Sequence, residues 1–496
     1  VTHISPDPRD PLGLAADAPL LAAWLAADQQ VRDGALAPFV VPGHKQRTDL
    51  VGEVVRGDLP LYGGLAPIKA ADDLLDDAER RAADLFGADW CRFSVGGSTH
   101  GNQALALAAG RPGRPIVVAR TLHRSLLLGL VLAGLVPVWV RPRLHTPTGL
   151  PLGIEADAVR RALEAHPDAC AVLLTDPSYV GTCGDIPALA DVAHSAGVPL
   201  LVDAAWGAHF GSHPALPPHP LAAGADAVVT SAHKALPAAN QGAYVMARTT
   251  RSGGLLDPDR LERAFDTGHT TSPSGSILAS LDAARALLAG HGHDLAAGLL
   301  ALVADARRRL VAVPGLGVLD PNTLARLDPT KLVLLLAGTG AHGHDVETDL
   351  VADGLPVEMA DRDTVVAMVT LADDEGSVKR LVEAVVASVE RHRGPVRSPI
   401  PHAAWAVEAD QALSPREAFF ADHERVPWAQ AAGRICAEVI APYPPGVPVL
   451  APGERIDARA LAALVEVKAE GGRIAYAADP TLATVQVVRE GHSRVR

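Results

Sequence analysis

Short, almost continuously apolar runs alternate with longer helical stretches through the middle of this chain. The runs at 116–119, 136–140, 171–175, 200–204, 227–230 and 242–247 are rich in Val, Leu, Ile and Ala. Strands that are apolar on both sides, separated by helices, predict a mostly parallel sheet covered on both faces. Before it, the pattern over 14–32 predicts an amphipathic N-terminal helix, followed by the turn-rich Val41-Pro42-Gly43-His44-Lys45. After it, a helix over 295–313, strands at 331–337 and 364–371 and a helix over 377–393 predict a small α+β unit. A linker-like Gly-Pro-Val-Arg-Ser-Pro-Ile at 394–400 opens a tail with two further strand-like runs, 473–477 and 484–488. The expected organisation is an N-terminal helical segment (1–35), a large domain (36–290), a small α+β domain (291–395) and a C-terminal α+β domain (396–496).

Composition narrows the function classes. The chain has 496 residues, 48% hydrophobic and only 20% charged, which is enough to build a large core. Its net charge of −13 speaks against binding nucleic acid or an anionic membrane and suits a cationic small molecule. The apolar stretch 126–140 is broken by Gly and Pro, and no membrane span is expected. Four widely spaced cysteines without a Cys-x-x-Cys pair suggest neither a metal site nor a disulfide framework, and no secretory pattern opens the sequence. A cytoplasmic enzyme is the expectation.

The chemistry concentrates at predicted strand ends. Ser231-Ala232-His233-Lys234 follows the run 227–230, and Asp203 closes Leu200-Leu201-Val202. A lysine and a neighbouring acid delivered this way suit pyridoxal 5'-phosphate (PLP): the lysine forms a Schiff base with the aldehyde, and the acid keeps the pyridine nitrogen protonated. An ordinary lysine after a strand is a surface residue, and an ordinary Asp there is a helix cap. Their coincidence favours the cofactor. Gly96-Gly97-Ser98-Thr99-His100-Gly101-Asn102, between a short strand-like run and a helix, offers backbone N–H groups and hydroxyls to a phosphate. Ser231 adds a hydroxyl, with His233 close by. His123, just after the run 116–119, suits stacking on the pyridine ring. Trp206 reads equally as a cofactor contact or as core filling.

These motifs resemble the prokaryotic Orn/Lys/Arg decarboxylases, fold-type-I PLP enzymes with an aspartate-aminotransferase-like architecture. The resemblance runs over nearly the whole chain. It rests on Val41–Lys45, Gly97–Asn102, His123-Arg124-Ser125, the run from Asp203 to His209, Ser231–Lys234 and Thr270-Thr271-Ser272-Pro273-Ser274. The C-terminal pieces Ala432-Gly433-Arg434, Tyr443-Pro444-Pro445-Gly446 and Pro452-Gly453-Glu454 are the most specific. It implies that Lys234 carries the cofactor, that Asp203 pairs with the ring nitrogen, and that His123 stacks on the ring. Ser98, Thr99, Ser231 and His233 would hold the phosphate, with His100, Ala205 and Trp206 in the same cofactor shell. Thr271 would reach the phosphate of a neighbouring subunit, implying a homodimer with shared sites. Glu454 would meet the distal cation of the substrate, or else simply start a helix.

The implied activity is decarboxylation of arginine, lysine or ornithine, with Lys234 or His233 returning the proton. Transamination or C–S elimination on the same scaffold is the alternative, for which Arg326 or Arg362 would have to clamp the α-carboxylate. Ala204, Gly275 and His100 depart from the family's usual residues and bear on pocket size and substrate.

Overall fold

The computed structural model describes residues 7–36, 39–59, 73–146, 148–324, 326–398, 410–443 and 447–491. A seven-stranded sheet organises the large domain. Its strands are β1 (Trp90–Ser94), β2 (Pro115–Ala119), β3 (Val136–Val140), β4 (Val172–Thr175), β5 (Leu200–Asp203), β6 (Ala227–Ser231) and β7 (Ala243–Ala247). They lie in the order β1-β7-β6-β5-β4-β2-β3. The β3-β2-β4-β5-β6 pairings are parallel, and β7 runs antiparallel to both of its neighbours.

The apolar runs become strands because successive side chains fill opposite cores. Val117, Val172, Leu200, Val202 and Val228 enter one cluster. Val118, Leu173, Leu201, Ala227 and Val229 enter the other. Helix Gly97–Ala109 covers the second face, and Gly101 permits its close approach. A Cβ there would stand 2.7 Å from Val245 and 2.9 Å from Val229.

The pattern suggested a helix over 295–313, but the chain forms one helix from Gly275 to Val311. Gly290 and Gly292 read as breakers in sequence because each costs about 1 kcal/mol in a helix. Here tertiary packing overrides that cost at both ends. Leu278, Leu281 and Leu288 join the large-domain core, while Leu299, Val303, Ala306 and Leu310 join that of the small domain. By length and composition this helix is long and apolar enough to cross a membrane, which the expected 295–313 segment was not. Its apolar face is used between the two domains instead. The small domain carries a four-stranded antiparallel sheet made of β8 (Gly317–Val318), β9 (Leu332–Leu335), β10 (Met359–Ala360) and β11 (Thr364–Ala367).

The expected N-terminal helix spans Pro19–Arg32 and is tied to the long helix, since Leu20 N–H donates to Asp282 at 2.8 Å. In the C-terminal part Arg473–Ala475 pairs with Ala441–Tyr443, and Thr484–Val488 pairs with His423–Pro427. The sequence motif at 444–446 lies outside the described residues.

Gly101→Val forces atoms into the Val229–Val245 contact. Overpacking of this kind costs about 1–3 kcal/mol, so the denaturation midpoint should fall clearly. An unchanged midpoint would show that the helix does not sit this close to the sheet.

Candidate active site

The carboxyl edge of the sheet gathers the sequence-predicted groups. In open α/β sheets this edge is where ligands bind. Asp203 ends β5, Ser231 ends β6, and Lys234 lies in the single helical turn Ala232–Ala235 that follows. Ala243 of β7 pairs with Ser94 on one side and with Ser231 on the other. That register brings the turn before helix Gly97–Ala109 alongside the turn after β6.

Asp203 is only 2% exposed. Its Oδ2 accepts a hydrogen bond from Asn102 Nδ2 at 2.8 Å, and its Oδ1 accepts one from Ala205 N–H at 3.2 Å. Asn102 also donates to Ser125 Oγ at 3.0 Å, and Ser125 Oγ lies 2.8 Å from His123 Nδ1. Ser125 N–H donates to the same ring nitrogen at 3.2 Å. With Nδ1 accepting, the proton of a neutral His123 resides on Nε2. The relay Asp203–Asn102–Ser125–His123 thus fixes both the acid and the imidazole tautomer. Asn102 and Ser125 stood inside quoted motifs, but nothing in their spacing announced this role.

Electrostatics follow from burial. Desolvation pushes the Asp203 carboxyl up, opposed by His123, Lys234 and the Asn102 hydrogen bond. Desolvation pulls Lys234 down, opposed by Asp203 and Glu358, and it also pulls His123 down. Lys234 Nζ rests 3.9 Å from the ring centre of buried Trp206, so Trp206 belongs to the site as a cation–π platform.

The residues present fit PLP. Ser231 is fully buried, and its Oγ has no hydrogen-bond partner among the described residues. A buried hydroxyl left unpaired wants an acceptor such as phosphate. Helix Gly97–Ala109 has no side chain capping its N-terminus, leaving its first N–H groups for an anion. Ser98 is half-buried and Thr99 exposed at that same end. His233 directs Nδ1 to the Gly242 carbonyl at 3.0 Å. Ala205 is buried beside Asp203.

Two expectations need correction. His100 is not free for the cofactor, because its Nδ1 meets Ser94 Oγ at 2.9 Å and its Nε2 meets the Phe265 carbonyl at 2.9 Å. Both ring nitrogens are spent, and the imidazole packs on Phe265 with ring centres 4.5 Å apart. Glu454 is not available to a substrate cation either. It is 1% exposed and forms a two-pronged ion pair with Arg120, one contact being Nη2–Oε2 at 3.0 Å, while Ala451 N–H donates to it at 3.0 Å. Arg120 follows β2, so this pair fastens the C-terminal segment to the large domain. Thr271 is exposed, and no hydrogen bond joins it to the site of its own subunit among the described residues.

A large concave surface also lies elsewhere, lined by residues of Asp176–Pro187 and Arg307–Pro329, and contains none of Lys234, Asp203 or His123. The chemistry does not reside there.

Glu454→Gln leaves Arg120 buried with a neutral partner. Breaking a buried pair costs about 3–5 kcal/mol, so a lowered melting temperature is expected, without a selective rise in substrate KM. A KM effect at unchanged stability would return Glu454 to the substrate pocket.

Two family models match this sequence: Orn/Lys/Arg decarboxylase, major domain, over residues 39–324, and Orn/Lys/Arg decarboxylase, C-terminal domain, over 401–472. An arginine decarboxylase of Halalkalibacterium halodurans is 34% identical over 478 residues, covering 92% of this chain and 95% of that protein. One from Bacillus subtilis is 33% identical over 470 residues, covering 91% and 94%. Among solved structures, the Francisella novicida lysine decarboxylase superimposes with a TM-score of 0.79 at 20% identity, over 95% of this chain and 81% of that one.

Proposed function

The chain belongs to the Orn/Lys/Arg decarboxylase family and is a basic amino-acid decarboxylase, and we propose that its substrate is L-arginine, released as agmatine and CO2 with PLP as cofactor. One observation carries the assignment of the site: the acid Asp203 and the amine Lys234 are brought within electrostatic reach at the carboxyl edge of a fold-type-I sheet. Arginine is favoured over lysine because relatives named arginine decarboxylase are 30–34% identical over 84% or more of this chain. Relatives named lysine decarboxylase are 24% identical over 77% and 26% over 43% of this chain, and a biodegradative arginine decarboxylase of Escherichia coli is as distant, at 27% over 43%.

When bound, PLP supplies an electron sink for the pair of electrons left behind as CO2 departs. The protein's own contributions are positional and electrostatic. Lys234 would hold the cofactor aldehyde, and its lowered basicity keeps a neutral amine accessible. Asp203 would hold a proton at the ring nitrogen, an interaction that strengthens as negative charge flows into the ring. The Asn102–Ser125 relay keeps His123 neutral and aimed, as a ring stacked on the cofactor requires. Ser231, Ser98, Thr99 and His233 would anchor the phosphate. Lys234 or His233 would return a proton to Cα.

The exposed position of Thr271 agrees with a role toward a neighbouring subunit, so a homodimer is part of the proposal. A cytoplasmic setting is proposed from the four cysteines, all free.

Incubation of the PLP-loaded protein with arginine, lysine and ornithine, with the products identified, tests the reading. Agmatine and CO2 from arginine are expected, at a kcat/KM above those for the other two. The Lys234→Ala protein should lose the visible cofactor band and turnover together. A keto acid instead of an amine would overturn the assignment in favour of transamination.

A further inference from the structure

Among the described residues, Lys331 is a buried cation near the site without a direct ion-pair partner. Lys331 immediately precedes β9 in the small domain and is 2% exposed. Its stem is pinned by Gly181, where a Cβ would stand 2.7 Å from Lys331 Cγ, and where φ is +83°. Lys331 Nζ lies 3.9 Å from the ring centre of Trp206, the same indole that carries Lys234 Nζ at 3.9 Å. The two amines are therefore within twice that distance of each other.

Asp328 and Glu358 attract Lys331 without reaching it in a direct ion pair. Among the described residues the hydrogen-bond acceptor of Lys331 Nζ is Met368 Sδ at 2.7 Å, a weak one. Asp328, at the preceding turn, spends Oδ1 on Thr330 N–H at 2.9 Å and on Thr330 Oγ1 at 2.7 Å, with His209 Nε2 at 3.5 Å. No carboxylate of the described residues comes within ion-pairing distance of Lys331. Burial and the charge of Lys234 pull its pKa down to about 8, against the attraction of Asp328 and Glu358. Below that pH it is still a cation, and a buried cation without an anion is costly.

The small-domain arginines considered as carboxylate clamps are already committed. Arg326 pairs with Asp185 at the surface. Arg362 pairs with Asp363 at 2.5 Å and with Glu470 at 2.9 Å. We propose that Lys331 is the missing clamp: its ammonium holds the α-carboxylate of the amino-acid substrate beside Lys234, with the Trp206 indole against both amines. This deepens the decarboxylase reading and rests on it.

The reaction gives such a clamp a distinctive signature. The carboxylate is an anion in the bound substrate and leaves as neutral CO2, so the ammonium stabilises reactant more than transition state. An interaction of that kind lowers KM and does nothing to raise kcat, so its removal raises KM without slowing the chemical step. The product amine carries no carboxylate and gains nothing from Lys331. As pH rises through about 8 the ammonium is lost, and the grip on substrate goes with it. The charged groups around Lys331 are Lys234, Glu358 and Asp328, with His209 held against Asp328.

The test compares PLP-loaded wild type, Lys331→Met, Lys331→Gln and Lys331→Arg. Two quantities are read: the kinetics of CO2 release from arginine, and the dissociation constant of agmatine measured through its perturbation of the cofactor band. Loss of one charge-assisted contact predicts an arginine KM about ten- to a hundredfold higher in the Met and Gln variants. Agmatine binding should stay unchanged, and the Arg variant should recover most of the loss. The Gln variant retains a polar tip should the Met variant fold poorly. Equal weakening of arginine and agmatine, or an unchanged arginine KM, would overturn the clamp. Wild-type protein that releases no CO2 from any basic amino acid would instead overturn the decarboxylase reading itself.

Discussion

Everything at this site depends on the cost of burying the Asp203 carboxylate. A single ion taken out of water in a protein interior costs several kcal/mol unless something repays it. Two hydrogen bonds, from Asn102 and the Ala205 amide, repay part. The remainder comes from cations within reach, and burial pushes the carboxyl up until one is supplied. A protonated pyridine nitrogen of the proposed cofactor would satisfy that demand, and the same demand would hold the proton on the ring when electrons flow into it. One acid at one strand end thereby links folding energetics to the chemistry of carboxylate loss.

The rest of the architecture keeps water and mobility away from that charge. Strands apolar on both faces carry Asp203 and Ser231 to a common edge, and the absence of a Cβ at Gly101 lets the capping helix lie directly on them. The 37-residue helix Gly275–Val311 joins the large and small cores as one element, so the small-domain strand after Lys331 is placed by the same scaffold. The C-terminal segment is fastened at three points near the sheet edge. Glu454 meets Arg120, Gln411 accepts from the Trp139 indole at 3.0 Å, and Tyr476 stacks under Arg124. Arg124 is the neighbour of His123, which ties that segment to the loop that carries His123.

Residues whose place at the sheet edge follows from position along a strand were readable in the sequence. Asp203, Ser231 and Lys234 sit at or just after apolar runs, and parallel topology brings such ends together. His123 was readable for the same reason. Residues whose role depends on side-chain direction were not. His100 and Glu454 are chemically apt, yet each points into a pairing with a residue remote in sequence, Phe265 and Arg120 respectively. Lys331 was hidden for the converse reason, since it stands at the head of a strand in another domain and meets Trp206 only through tertiary packing. The long helix begins well before the expected 295–313 because packing into both cores carries it through Gly290 and Gly292 despite their poor local propensity.

The central claim is that Asp203 fixes a proton on the cofactor's ring nitrogen. Reconstitution with 15N-labelled PLP and measurement of the ring-nitrogen chemical shift addresses it directly. The account predicts a protonated nitrogen in wild type across neutral pH, and an unprotonated one in an Asp203→Ala protein that still binds the cofactor. A nitrogen with the same protonation state in both proteins would contradict it.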